Sequence, residues 1–135
     1  MTQDSVDGLR RLYDEWAKGN LLALQYVADP DIEWEWADEM ASLLGGPRVY
    51  RGLDEIWAAT KEWLTAWDHY WMTADEFIEA GDRVVVLMRL HARAHTGNIL
   101  EQRVAGVWTM RDGKAVAVRY YMDRDEALRV AGVER

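Results

Sequence analysis

Three consecutive segments, 83–95, 99–111 and 114–122, carry apolar side chains at every second position and are joined by Thr96-Gly97-Asn98 and Asp112-Gly113. A period of two puts alternate side chains on opposite faces of a strand. Asp-Gly between two such runs is a hairpin signal, because both central residues of the tight turn need positive φ. A further strand over 70–79 leads in through Gly81-Asp82. Strands joined this closely predict an antiparallel meander. One row is apolar throughout: Val84, Val86, Met88, Leu90 and Ala92, then Val104, Gly106, Trp108 and Met110, then Val116, Val118, Tyr120 and Met122. A wholly apolar row has to be covered by another layer.

The covering layer is legible upstream. Residues 4–18 read as a helix, capped by Asp4 or Ser5, with Val6, Leu9, Tyr13 and Trp16 at helical spacing and Gly19-Asn20 after it. Residues 21–28 read as a second short helix stopped by Asp29-Pro30. Ile32, Trp34 and Trp36 alternate with Glu33 and Glu35, which predicts a strand. Residues 37–52, with Gly45-Gly46-Pro47 and Gly52, predict a long loop whose Asp38 and Glu39 would reach a pocket mouth. Residues 53–67 predict a third helix with a stripe of Ile56, Thr60, Trp63 and Trp67. A short helix over 124–131, capped by Asp123 and closed by Gly132, ends the chain. Helices on one face of a meander make an α+β layer arrangement, and 135 residues with no linker predict a single domain over 1–135.

Composition narrows the function. The chain has no cysteine, which removes disulfides and thiolate metal sites and suits a reducing compartment. It shows no signal peptide and no apolar run near membrane-spanning length, so a cytoplasmic protein with no membrane partner is expected. A net charge of −8 argues against a nucleic-acid partner. No phosphate loop, nucleophile elbow or metal-binding histidine motif is present, and neither a metal nor another cofactor is expected. His91 and His95 share a strand face but lie about 13 Å apart at roughly 3.3 Å per residue, too far for one metal. His69 falls between a helix and a strand, at a rim. The distinctive number is 8 Trp and 6 Tyr against 1 Phe. These side chains pair an apolar body with a polar tip and suit half-wet cavity walls.

The second sheet face is mixed. Val85, Leu87, Ala105, Val107, Ala117 and Tyr121 make an apolar centre, ringed by Arg89, Arg93, Arg103, Arg111 and Arg119. A patch of this kind predicts a homodimer through the outer sheet face, with Glu101 or Glu134 as partners for the arginines; a solvated sheet face is the alternative.

The order of several landmarks resembles the SnoaL-like domains of the nuclear transport factor 2-like superfamily. They are Tyr13 to Gly19 (YDEWAKG), Asp29 to Trp34 (DPDIEW), Arg51-Gly52 with the following helix, Phe77 to Val86 (FIEAGDRVVV), Val107 to Val116 (VWTMRDGKAV) and Tyr120 to Gly132 (YYMDRDEALRVAG). The resemblance implies a cone-shaped, curved sheet with the helices on its concave face around a pocket. Trp16, Trp34, Trp36, Trp63, Met88 and Trp108 would then be the ligand-binding residues. The superfamily holds isomerases, cyclases, hydrolases and binders, so the fold implies a pocket and not a reaction. Steroid-isomerase-like members carry a general-base Asp near the end of the first strand, where Glu35 stands here; it points inward only if the strand bulges. They also use a helix-one Tyr, which brings in Tyr13, while Tyr120 offers a second hydroxyl. Tyr13, Glu35 and Tyr120 are thus the candidate catalytic residues. SnoaL-like cyclases are expected to project a His and an acid from the last strands, where this chain has Gly106 and Tyr120; neither serves as a general base. The resulting expectation is a pocket that binds or converts a hydrophobic small molecule, with cofactor-free acid–base chemistry on a carbonyl compound if it is an enzyme. The alternative is a non-catalytic ligand-binding or dimerisation module.

Overall fold

The computed structural model describes residues 3–36 and 49–134. Helix α1 (Gln3–Ala17) is followed by a single 3-10 segment (Leu21–Tyr26), strands β1 (Ala28–Glu35) and β2 (Val49–Arg51), and helix α2 (Gly52–Leu64). Strands β3 (His69–Ala80), β4 (Arg83–Arg93), β5 (Ile99–Arg111) and β6 (Lys114–Tyr121) come next, and helix α3 (Arg124–Val130) closes the chain. The six described strands form one mixed sheet in the order β2-β1-β6-β5-β4-β3. The meander is antiparallel throughout, and β1 joins it by pairing parallel to β6. The sheet stays open, with β2 and β3 at its edges.

The α+β layering follows the alternation. Val84, Val86, Met88, Val104, Trp108, Val118 and Tyr120 all lie in one buried core with Val6, Leu9, Leu12, Tyr13 and Trp16 of α1. Asp112 (φ 53°) and Gly113 (φ 78°) both take positive φ, as the tight β5–β6 hairpin requires.

Several boundaries differ from expectation. Helix α1 starts at Gln3, so Asp4 and Ser5 fall inside it and not at its cap. The second helix, expected over 21–28 and stopped by Asp29-Pro30, is the 3-10 segment ending at Tyr26, and Pro30 lies inside β1, within the register shift between Ala28 and Glu33, where a missing N–H costs no ladder bond. Residues 49–51, expected as loop, form β2, because Trp34 and Glu35 offer their free edge to Tyr50 and Val49. Asp38, Glu39 and Gly45-Gly46-Pro47 lie outside the described residues. On β6 a bulge between Thr109 and Met110 of the facing strand changes the parity. Ala115, not Val116, therefore enters the core.

The outer face departs most from expectation. Val85, Leu87, Ala105, Val107 and Tyr121 do cluster, but Ala127 and Leu128 of α3 pack onto them and close the patch within the chain. The apolar centre that motivated an isologous pairing is therefore already covered by the terminal helix. Asp123 sets that helix in place by accepting from the N–H groups of Asp125 (2.9 Å) and Glu126 (3.3 Å). Its loss should lower stability by about 1 kcal/mol. Asp123→Ala is expected to show this in urea unfolding, and Asp123→Asn, which keeps the acceptor, should recover most of it.

Candidate functional site

The inner face is filled over one half and hollow over the other. Helix α1 sits on β3, β4 and β5 and fills the first half. Under α2 lies a cavity of about 840 Å³. Its walls come from the end of β1, from β2, from the start of β3 and from α2, with Leu21 and Leu24 of the 3-10 segment. Helix α2 contributes Glu55, Ala59 and Glu62, four and three positions apart, and Ala66 follows just past its end. The two alanines leave room that larger side chains would fill.

Four of the expected ligand-binding residues, Trp16, Trp34, Trp36 and Trp63, come together on this wall. Trp34 contacts Trp36 at 5.9 Å between ring centres, and Trp63 meets Tyr70 edge-on at 5.8 Å. Met88 and Trp108 belong to the same core but are fully buried and do not line the cavity. Tyr50, Trp57, Tyr70, Met72, Glu55 and Glu62 line it without having been singled out from the sequence. Spacing sets Glu55 and Glu62 on one side of α2, but not that this side borders a cavity. Tyr50 is placed by β2, a strand too short to leave a pattern.

Tyr13 and Tyr120 are buried beneath this wall. The Tyr13 hydroxyl donates to Met88 Sδ (3.2 Å) and accepts from Trp108 Nε1 (3.1 Å). Burial pushes its pKa well above the ordinary phenol range. Burial does the same to Tyr120, and the neighbouring Tyr13 adds to it. The Tyr120 hydroxyl has no hydrogen-bond partner among the described residues. Its ring packs on Trp34 (5.0 Å) and Trp36 (5.2 Å), so it backs the cavity wall. Both tyrosines therefore stay protonated at neutral pH and are hydrogen-bond groups, not bases. The indole N–H groups of Trp16, Trp63 and Trp67 are also buried without a partner among the described residues. Trp16 packs against Tyr13 at 4.9 Å and 67°, and Trp67 against Trp63 at 5.5 Å and 63°. Such steep ring contacts partly offset an unmade bond.

Glu35 stands elsewhere. The β1 register shift lies before Glu33, so the alternation through Trp34 to Trp36 is undisturbed and Glu35 falls on the opposite row. There it pairs with Arg119 across β6 at 3.0 Å. His69 and His91 stack on the two sides of Trp71, each at 4.9 Å. His95 lies just past β4, bonded to Asp68 and, at 3.1 Å, to the carbonyl of Thr65 at the end of α2. No group of three or more His, Asp or Glu suited to a metal occurs among the described residues. No described helix is long and apolar enough to cross a membrane.

An open mixed sheet with α1 and α2 over one face and α3 over the other places the chain in the α+β class. The chain belongs to the SnoaL-like domain family, whose model matches residues 9–118. It is 29% identical to an uncharacterised protein of Mycobacterium tuberculosis over 127 residues, covering 91% of this chain and 93% of that one. A nuclear transport factor 2-like protein of unknown function from Burkholderia pseudomallei superposes with a TM-score of 0.77 at 26% identity, over 96% and 98% of the two chains. TerC, crystallised with polyporic acid, shares the fold with a TM-score of 0.78 at 23% identity, over 96% and 99%.

Two outcomes follow from this geometry. A Cβ at Gly106 would lie 3.2 Å from Tyr120 Cε1 and 3.3 Å from Trp108 Nε1. The position where related cyclases are expected to carry a histidine is thus filled by two rings. Gly106→Ala should lose about 1–3 kcal/mol in chemical denaturation through this overpacking. His95 has its pKa raised by the hydrogen bond to Asp68 and by the Thr65 carbonyl. Its contribution to stability is therefore present below the ordinary histidine value, about 6.5, and lost as pH rises through the higher folded value. An NMR titration should place the His95 midpoint above that of an unfolded control, and in Asp68→Asn the difference should shrink.

Proposed function

We propose that this protein binds a hydrophobic, ring-containing small molecule in the cavity beneath α2, without using the buried tyrosines for proton transfer. The observation that carries the reading is the cavity itself. A space of about 840 Å³, walled by Trp16, Trp34, Trp36, Trp57 and Trp63, is the size and character of a small-molecule site. Apolar surface entering it would gain about 25 cal/mol per Å² removed from water. The hydroxyls suggested as catalytic lie beneath the wall, and the remaining candidate, Glu35, is engaged by Arg119 on the other face. A binding role accounts for this distribution, since a binding wall needs neither a base nor a nucleophile. TerC, which shares the fold, was co-crystallised with a small molecule, polyporic acid.

Tryptophan fluorescence tests the reading, because the wall carries its own probes. A panel of steroids, polyketides and terpenoids should contain members that quench emission saturably. Trp63→Ala, which alters a half-buried wall residue, should weaken binding by about tenfold, in line with the loss of an aromatic anchor. Tyr120→Phe should leave affinity within about twofold, since the Tyr120 hydroxyl does not line the cavity. Failure of the whole panel to bind would overturn the proposal, as would turnover that depends on the Tyr120 hydroxyl.

A further inference from the structure

We infer that the preferred guest of this cavity carries a positive charge: an organic ammonium borne on an apolar, ring-containing body. The inference rests on the cavity being a small-molecule site and adds the sign of its charge. Among the described lining residues there is no Lys, Arg or His, while Glu55 and Glu62 both stand on the wall. They lie on the same side of α2, seven positions or about two turns apart, and both border the cavity. Glu55 is held there, because its Oε1 accepts the backbone N–H of Arg51 at 2.9 Å. The nearby Arg51 guanidinium pairs with Glu33 at 3.3 Å. Glu62 is close enough to Tyr50, on the β2 side of the mouth, to help hold that phenol in its neutral form, after burial as the main cause.

The rings supply the second half of the argument. An aromatic face carries negative charge density and attracts a cation, most strongly from tryptophan. The rings on this wall stand at steep angles to one another, 67° for Trp34 and Trp36 and 89° for Trp63 and Tyr70. Trp36, Trp57 and Trp63 are only partly buried, so theirs are the rings that a guest in the cavity would meet. A carboxylate pair alone would bind any solvated cation weakly, and rings alone would accept any apolar body. Together they favour a molecule with both features. The chain's net charge of −8 acts in the same direction at long range. A carboxylate or sulfonate guest meets the opposite situation, with two like charges and no described cation to receive it.

The test uses three probes on one ring system: naphthylmethyl-trimethylammonium, naphthylmethyl methyl ether and naphthylmethyl sulfonate, titrated calorimetrically into the full chain. The ammonium should bind about tenfold or more tighter than the ether, and the sulfonate more weakly than either. Raising the salt should reduce the ammonium's advantage and leave the ether unchanged. Glu62→Gln, at an exposed position, should cut the ammonium's preference without altering ether binding. Glu55→Gln keeps an acceptor for the Arg51 N–H and should act in the same direction, so the result does not depend on one variant folding. An ether that binds as tightly as the ammonium, or a sulfonate that binds tightest, overturns the charge assignment and leaves the hydrophobic site standing. If no probe of the three binds, both readings fall.

Discussion

The arrangement depends on how α1 is seated against the meander. Trp108 of β5 donates its indole N–H to the Tyr13 hydroxyl, and Tyr13 donates in turn to Met88 on β4. These contacts join residues 95 and 75 positions apart in the chain. They lie inside an apolar layer, where polar atoms are tolerated only if paired. The bonds therefore select one orientation of the helix from the many that hydrophobic contact alone would permit. Once α1 is fixed over β3 to β5, the other half of the inner face is left for α2 to roof.

This division explains why the cavity lies where it does. Over the first half, Leu9 and Leu12 share one buried core with Val84, Val86 and Val104. Over the second half, α2 presents Ala58 and Ala59 beside its large residues, and the opposing rings of Trp34 and Trp36 do not reach across to fill the gap. The end of α2 is tied back to the meander through the Thr65 carbonyl, His95 and Asp68. The cavity roof thus hangs between β2 at one end and the β4 terminus at the other.

On the far side of the sheet, charge and apolar surface are handled within the chain. Arg89 lies between Asp75 and Glu101, and Arg124 reaches Asp75 as well as the carbonyls of Val104 and Met88. Asp75 is available for this because it is the extra residue of the bulge between Ala74 and Glu76. Arg124 is the first residue of α3, so the Asp75 carboxylate that pairs with Arg89 also holds the terminal helix over Val85, Leu87 and Val107. Glu101, expected as an acidic partner across a dimer, meets Arg89 within the same chain.

Local pattern alone determined the meander, its two faces, the α1 stripe and the Asp123 cap, because each depends on a repeat or a spacing within a few residues. It also brought Trp16, Trp34, Trp36 and Trp63 to one wall, since all four lie on rows whose direction alternation fixes. It misplaced Val116, because a bulge shifts parity and leaves no mark in composition. It left Met88 and Trp108 on the cavity wall, because an inward row has depth as well as direction, and depth is set by which helix lies above it. Glu55, Glu62 and Tyr50 came into the site only when α2 and β2 took their places. The covering of the outer patch by α3 was likewise invisible, as it joins segments whose side chains had each been read separately. What only the tertiary structure decided is which part of the apolar face would be packed and which left hollow, for that follows from the meeting of two helices with one sheet and not from the pattern of any one of them.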